Sequence, residues 1–485
     1  MSALQSELAR SRKVVVLGDV MLDVYTFGIA DRVSPESPIL VVKSTTREVR
    51  PGGAANTAAN CRALGANVTL CGVVGDDHDG RTLENLLCEQ NVDVRLIRDA
   101  RCTTTVKERI LGRSPGRSWQ QMLRIDTEGM SDTEDCEAAV LQEVGEALLG
   151  SHALLISDYG KGVCTAAVVS GAIARAQALG VPVYVDPARA IDWRRYRGAS
   201  LIKPNRRETT NVLGGAGSTT EEIVAKAGDL FALAGEADVL VTLDRDGMIL
   251  IQSPTSIIHF PAMPQEIVDV SGAGDTALAV VAVATATGLS LTDAVRLANL
   301  AAGIQITRIG ATSVTWDEIH ACGENASQRR KIVDTLSLRE RCREFRRQGK
   351  RLVFTNGCFD LLHVGHISYL QEAARLGDVL IVAVNDDQSV RALKGGERPI
   401  NGAQDRAQML AALSMVDLVT VFSHDTPCEL LRELRPDVLV KGGDYALTQV
   451  VGREIVEAYG GRVVVAPKVH EISTSRLLAN RRSES

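Results

Sequence analysis

Two short stretches of this chain combine residue types that could handle phosphate groups. Asp269-Val270-Ser271-Gly272-Ala273-Gly274-Asp275 opens an apolar, Ala- and Val-rich segment in the first two thirds. Small residues at a helix start let a phosphate approach the backbone amides, where the helix dipole adds a favourable partial positive charge. Asp275 in the same turn is placed to accept the proton of an alcohol whose oxygen attacks the terminal phosphate of ATP. Taken alone, the same residues also suit a plain helix start, with Asp275 as a cap. The second stretch, His363-Val364-Gly365-His366, follows a short apolar run. Two histidines three residues apart at a helix entrance present their rings on one side, and Gly365 leaves space for a phosphate. That suits charge growing on an α-phosphate and a departing pyrophosphate, with direct attack by an aligned sugar phosphate and no covalent nucleophile. Zinc ligation is the competing chemistry, but the pair lacks the Glu and the spacing of His-Glu-x-x-His, and no third ligand stands out. A purely structural pair is the other reading. One polypeptide with two such stations is expected to run two reactions on phosphorylated compounds.

The elements around them read as α/β. Apolar runs at 14–17, 68–70, 153–157 and 181–185, separated by helical patterns such as 166–179, signal a mainly parallel sheet covered on both faces. Functional residues then belong beyond the carboxyl ends of its strands. Residues 25–49 and 94–125 break the rhythm with short extended pieces, as a small β lid that closes over substrate and excludes water would. The pattern restarts after a basic stretch: residues 325–350 hold nine Lys or Arg against three acidic residues, with an amphipathic helix expected over 336–348. Strands at 351–355, 379–384, 418–421 and 438–441 alternate there with helices at 366–376, 406–413 and 428–434. The expected division is residues 1–325, a linker with an opening helix over 326–349, and 350–485.

Composition narrows the class. At 485 residues the chain exceeds what one hydrophobic core normally serves. A net charge of −6 offers no large positive field for a nucleic acid backbone, so any nucleotide is expected to be a small ligand. The polar first twelve residues do not read as a signal peptide, and the apolar run 276–289 is too short to span a bilayer, so no membrane partner and a cytoplasmic location are expected. The ten cysteines contain no Cys-x-x-Cys pair and read as reduced thiols.

Four separated features in the first part resemble the ribokinase, or PfkB, carbohydrate kinase family over about residues 13–315. They are Gly18-Asp19-Val20-Met21-Leu22-Asp23, Gly52-Gly53-Ala54-Ala55-Asn56, Lys203-Pro204-Asn205-Arg206-Arg207-Glu208 and the segment from Asp269 to Asp275. The resemblance implies a ribokinase-like kinase domain with a small β lid. It implies that Asp19, Gly53 and Asn56 meet sugar hydroxyls, with Asp23, Gly52 and Asp186 in the same substrate set. Asp275 would be the base, and Ser271, Gly272, Ala273 and Gly274 would form an anion hole for ATP. Asn205 and Glu208 would hold hydrated Mg2+ through water. Asp158-Tyr159-Gly160-Lys161-Gly162 and Val185-Asp186-Pro187 look like the version in bacterial heptose kinases, which makes Lys161 a candidate for a phosphate already on the sugar. The basic residue often found directly after Asp-Pro is Ala188 here, with Arg189 next.

The last part, about residues 350–478, resembles the His-x-Gly-His nucleotidyltransferase superfamily in its cytidylyltransferase-like branch, a Rossmann-like fold. Besides the histidines, the resemblance rests on Leu393-Lys394-Gly395, Arg398-Pro399, Asp405-Arg406, Lys441-Gly442-Gly443-Asp444-Tyr445 and Ile472-Ser473-Thr474-Ser475-Arg476. It implies transition-state stabilisation by His363 and His366, α-phosphate neutralisation by Lys394, and outer phosphates held by Ser473, Thr474 and Ser475. Asn356, Phe359, Asp360 and Arg398 would contact the nucleotide or position the histidines, and Lys441, Asp444 and Tyr445 the sugar phosphate or nucleoside. The residues themselves leave ATP and CTP both open.

Kinase first and nucleotidyltransferase second is the order of the bacterial bifunctional heptose enzymes. That resemblance implies ATP-dependent phosphorylation of a heptose 7-phosphate at O1, a separate phosphatase, and transfer of AMP from ATP to the heptose 1-phosphate. It also implies a homodimer. The alternatives are another sugar kinase fused to a cytidylyltransferase for a different surface-polysaccharide precursor, and a degenerate nucleotide sensor or scaffold.

Overall fold

The computed structural model describes residues 9–114, 116, 118–129, 134–189, 192–263, 266–424, 426–443 and 446–466. The chain divides into two compact units, 1–323 and 324–485, and the division falls within the helix Trp316–Lys331.

The described residues of the first unit form strands β1 (Lys13–Gly18), β2 (Val20–Val33), β3 (Leu40–Gly53), β4 (Asn67–Gly75), β5 (Asp93–Asp99), β6 (Thr105–Arg113), β7 (Gln120–Thr127), β8 (Ala153–Ser157), β9 (Val183–Asp186), β10 (Leu201–Ile202), β11 (Asp238–Thr242), β12 (Met248–Ser253) and β13 (Ser256–Phe260). Nine of them make one sheet in the order β13-β12-β11-β10-β9-β8-β1-β4-β5. It is parallel from β5 to β11, with an antiparallel edge at β12 and β13. Its central strands are buried on both faces, which is why Val14–Leu17 and Ala153–Ile156 read as unbroken apolar runs. Strand order reverses between β1 and β8, and the crevice beyond their carboxyl ends is where open α/β sheets take ligands. Gly18 ends β1 there, and a Cβ on it would lie 2.1 Å from the Ser157 carbonyl oxygen.

The lid is a separate sheet, β3-β2-β6-β7. Chain leaves the main sheet for the lid at Asp19, the one residue between β1 and β2, and returns through β3 straight into the helix Ala54–Ala63. The lid expected over 94–125 therefore begins later: β5 pairs parallel with β4 at the edge of the main sheet. β5 is only half-buried, with Val94 and Leu96 packed on one core cluster and Ile97 on another, a mixed pattern that a lid strand shares. The helix Ala273–Ala286 is buried from Asp275 to Ala284, as expected for a helix apolar all round. Val280, Val281 and Val283 are fully buried, each contributing roughly 2 kcal/mol relative to exposure.

In the second unit, β14 (Leu352–Gly357), β15 (Val379–Asn385), β16 (Leu418–Phe422), β17 (Val438–Gly442) and β18 (Arg462–Ala466) form a parallel sheet in the order β16-β15-β14-β17-β18. The reversal lies between β14 and β17, directly under the segment that carries the histidines. The helix Thr335–Arg347 buries Leu338 and Cys342 and exposes its charges, matching the amphipathic helix expected there. No helix among the described residues is long and apolar enough to cross a membrane.

Candidate functional sites

In the first unit the geometry centres on Asp275, in the first turn of the helix Ala273–Ala286 and only 5 % exposed. Its Oδ2 accepts from Asn56 Nδ2 at 2.7 Å, and its Oδ1 from the Tyr159 hydroxyl at 2.7 Å and from Thr57 Oγ1 at 3.3 Å. Burial, and then the charge of Asp186, push its carboxyl up to about 6, while Asn56, Tyr159 and Lys203 pull it back. A base with its pKa near neutrality is poised both to accept and to release a proton. Ahead of it Gly272 takes the left-handed conformation at φ 76°, and a Cβ there would crowd Asn56 Nδ2 and Ala311 at 3.0 Å.

Lys203, 2 % exposed, pairs with Asp186 at 3.0 Å and lies 3.2 Å from where a Cβ on Gly274 would sit. Burial works against its charge, but Asp186 and Glu208 outweigh burial and hold it above its ordinary value. Asn205 and Glu208 form a capping box on the helix Arg206–Val212, each accepting from the other's backbone amide at 2.9 and 2.8 Å. Burial, with Asp186 next, lifts Glu208 to about 7.

A cavity of about 780 Å³ joins these groups. Glu208, Asp186, Lys203 and the turn Gly272–Asp275 line one part, Ile267, Val270, Ala302 and Ile306 give it an apolar wall, and Lys107, Arg124 and Lys161 also line it. Arg189 lines the cavity and draws Glu208 downward, whereas Ala188 is buried and gives its amide to the Tyr196 hydroxyl.

Asp19, expected to meet sugar hydroxyls, lies at the junction of β1 and β2. It is 1 % exposed, and its two oxygens accept the backbone amides of Tyr159, Lys161 and Val163 at 2.8, 3.0 and 3.0 Å. Those bonds leave it as the anchor of the loop that carries Tyr159 and Lys161. Asn56 faces Asp275 and accepts from Asn60 at 3.1 Å. Asp23 is paired with Arg109 at 2.8 Å, and a Cβ on Gly52 would meet the Asp23 carboxyl at 2.9 Å. Gly53, at φ 56°, caps the helix that presents Asn56. Lys161 pairs with Glu128 at 2.6 Å. Sequence reasoning quoted Tyr159 and Lys203 within motifs and gave neither a role at Asp275, and it missed Thr57 and Lys107. No local spacing signals the contacts of Tyr159 and Thr57 with Asp275, 116 and 218 positions away.

In the second unit the loop after β14 delivers His363 to the N-cap of the helix Val364–Ala374 and His366 to its first turn. The two rings stack with centroids 3.9 Å apart, and Phe359 lies 5.3 Å from His366. Burial lowers both; for His366, burial first and then His363 and Lys394 bring it to about 4. The Nδ1 atoms of both rings are buried without a hydrogen-bond partner among the described residues, a condition a ligand would relieve. Lys441, at the end of β17, bridges the strand reversal by donating to the Asn356 carbonyl at 3.0 Å and its side-chain oxygen at 2.6 Å. Burial lowers its ammonium to about 8.

Asp360 holds the next loop: Oδ1 accepts from the Ile400 and Asn401 amides at 2.7 and 3.3 Å, and Oδ2 lies 2.9 Å from Arg398. Fully buried Arg406 extends that support, donating to the Asn401 and Cys358 carbonyls at 2.9 and 2.6 Å and to Asp387 at 2.7 Å. Lys394 ends the helix Asp387–Lys394, near enough to act on His366. Asp444, Tyr445, Ser473, Thr474 and Ser475 lie outside the described residues.

Comparison with known proteins matches residues 11–318 to the pfkB family carbohydrate kinases and residues 354–480 to a cytidylyltransferase-like family. The "Bifunctional protein HldE" of Pelobacter propionicus is 42 % identical over 478 residues, covering 97 % of this chain and 96 % of that protein. Its namesake from Coxiella burnetii strain Dugway is 43 % identical over 473 residues, 97 % of each. Among solved structures, phosphofructokinase-2 from Escherichia coli in complex with substrates and products superposes with a TM-score of 0.54 at 20 % identity, over 64 % of this chain and 98 % of that one. A putative ribokinase from Agrobacterium tumefaciens gives 0.51 at 20 % identity with the same coverage. These two share the fold of the first unit. With both catalytic arrangements on one chain and end-to-end similarity to the bifunctional relatives, the chain belongs to the HldE family, the carbohydrate kinase–adenylyltransferases of ADP-heptose biosynthesis.

Proposed function

We propose that the first unit transfers the γ-phosphate of ATP to O1 of D-glycero-β-D-manno-heptose 7-phosphate, giving the 1,7-bisphosphate. The second unit transfers AMP from ATP to D-glycero-β-D-manno-heptose 1-phosphate, giving ADP-D-glycero-β-D-manno-heptose and pyrophosphate. A separate phosphatase removes the 7-phosphate between the two steps. The observation that carries the first reaction is the position of Asp275: a buried carboxylate with a pKa near 6, on a cavity lined by both a glycine turn and basic lid residues.

In the first step Asp275 takes the O1 proton as O1 attacks the γ-phosphorus. Amides of the Gly272–Gly274 turn and the Lys203 ammonium meet the charge that develops on the transferred group. Asn56 holds the base in position. The apolar wall of Ile267, Val270, Ala302 and Ile306 suits a purine, and Lys161, Lys107 and Arg124 suit the 7-phosphate. Asp19 acts on the sugar through the loop it anchors, and Arg189 serves where a basic residue after Asp186-Pro187 is missing.

The residues fit a divalent cation. Asp186 and Glu208 line one cavity, and burial, with the charge of Asp186 next, raises Glu208 to about 7, a cost that a cation beside the two carboxylates would relieve. Asn205 and Glu208 would hold Mg2+ through water, and the ion would neutralise phosphate charge.

In the second step His363 and His366 donate to the α-phosphate and the leaving pyrophosphate, with Lys394 neutralising charge beside them. Lys441 keeps Asn356 at the nucleotide crevice, while Ser473, Thr474 and Ser475 hold the outer phosphates. Purified protein incubated with heptose phosphates and either ATP or CTP, and read by product mass, tests both steps. Bisphosphate and ADP-heptose formed only with ATP are expected; a CDP-sugar would overturn the second assignment. We further propose a homodimer, which light scattering at working concentration checks; a monomer mass would refute it.

A further inference from the structure

We propose that Tyr159 is a gate on the catalytic base: its hydroxyl holds the place at Asp275 that the acceptor hydroxyl must take, and the remote phosphate of the sugar helps to release it. The inference rests on the assignment of the first unit as a sugar-phosphate kinase and goes beyond it.

Proton abstraction needs the acceptor oxygen within about 2.6–3.2 Å of the base. A carboxylate offers about four acceptor positions, and three on Asp275 are taken, Oδ2 by Asn56 and Oδ1 by Tyr159 and, more loosely, by Thr57; of these partners Tyr159 is the one that lines the cavity from which the acceptor must arrive. Asn56 and Thr57 belong to the buried helix Ala54–Ala63 and cannot leave without disturbing it. Tyr159 is different. Its side chain lines the cavity and the residue is 37 % exposed, so its ring has room to turn. The loop that carries it is pinned through backbone amides to Asp19, so release requires rotation of a side chain and not opening of the loop.

The same loop supplies the link to the phosphate. Lys161 is two residues from Tyr159, and Lys107 Nζ lies 5.4 Å from the centre of the Tyr159 ring. Both lysines line the cavity. A cation over an aromatic face is attracted to it, so Lys107 helps to hold the ring where it is. A dianionic phosphate arriving between Lys107 and Lys161 competes for that cation and weakens the hold as O1 reaches Asp275. Binding energy from a remote group is thereby converted into access to the base.

Two consequences follow. Without sugar, the Tyr159 hydroxyl keeps water off Asp275. Sugar-free hydrolysis, in which a water oxygen bonds to the γ-phosphorus, the bond to the β-bridging oxygen breaks and Asp275 takes the water proton, is therefore slow. A sugar without its phosphate reaches the cavity but clears the base poorly.

The test compares wild type, Tyr159→Phe and Lys161→Gln in the full chain, measuring ADP release without sugar and kcat/KM for the heptose with and without its 7-phosphate. Tyr159→Phe is expected to raise sugar-free ADP release about tenfold and to shrink the preference for the phosphorylated sugar by a similar factor. Lys161→Gln should lower kcat/KM for the phosphorylated sugar more than for the unphosphorylated one. If Tyr159→Phe lowers turnover of both sugars in equal proportion, or leaves sugar-free release unchanged while KM for ATP shows an intact nucleotide site, the gate is refuted. A wild-type protein that phosphorylates neither sugar would instead overturn the kinase assignment on which the gate rests, whereas a failed gate leaves wild-type sugar phosphorylation intact.

Discussion

Removing the Asn56 amide should move the pH dependence of the kinase reaction in a direction fixed by the contact it makes. Asn56 donates to Asp275 Oδ2 at 2.7 Å and favours the ionised carboxylate, against burial and Asp186, which together place the group at about 6. A hydrogen bond to a charged group is worth roughly 1.5–3 kcal/mol, and about 1.4 kcal/mol corresponds to one pKa unit. Asn56→Ala should therefore carry the acid limb of kcat/KM from near 6 to about 7 or 8. The sign follows from the role: the base must be ionised, so activity is lost as pH falls through its pKa, and a higher pKa brings the loss at higher pH. At pH 7 the wild-type base is about nine-tenths ionised and the variant's at most about half. The assay is ATP-dependent phosphorylation followed as kcat/KM for the sugar from pH 5 to 9. A lost sugar contact at Asn56 would lower the whole profile without moving its limb, so the two effects separate. An acid limb for Asn56→Ala at or below the wild-type position, or a wild-type limb near pH 4, would refute the reasoning.

The two stations should fail independently: Asp275→Asn abolishes sugar phosphorylation and retains adenylyl transfer, and His363→Ala does the reverse, each assayed on both half-reactions with folding checked by circular dichroism. Lys441 loses its charge as pH rises through about 8, so adenylyl transfer should decline above that value, and Lys441→Met should remove this alkaline limb together with most of the activity. Asp19→Ala removes the acceptor of three loop amides, of which the Val163 bond is buried and the other two part-buried; a loss of roughly 1–3 kcal/mol in thermal or denaturant unfolding is expected, with kinase activity falling and adenylyl transfer kept.

Much of the fold was legible because parallel strands buried on both faces must be continuously apolar. Ala153–Ser157 and the helix Cys428–Leu434 fall where the pattern put them. Gly272 was legible as the glycine of a helix start, where it takes the left-handed conformation at φ 76°. Less legible was what the charged residues touch. The resemblance gives Asp19 a sugar-binding role, and nothing in its neighbourhood along the chain shows that it also accepts three amides of a loop some 140 residues away. Tyr159 and Lys203 reach Asp275 and Asp186 only once the sheet has brought their strands side by side. Spacing along a chain encodes which face a residue takes within its own element. The partner it meets across the strand reversal is set by topology.

The two stations solve opposite electrostatic problems with the same means. Each sits where strand order reverses, so that loops from non-adjacent segments converge and water is partly excluded. In the first, exclusion raises a carboxylate, because the work to be done is accepting a proton from an alcohol that gives it up reluctantly. In the second, exclusion lowers two stacked imidazoles, and neutral rings 3.9 Å apart avoid a repulsion that two charged rings would suffer. On the function proposed for this unit, a triphosphate would supply the negative charge that makes protonated rings favourable, so their full donor strength would be reached with nucleotide in place. The buried residues that pin the loops, Asp19 in one unit and Asp360 with Arg406 in the other, keep these groups in register while their protonation changes. Preorganisation of this kind lets a small change in charge act on the reacting atoms instead of being absorbed by movement of the loops.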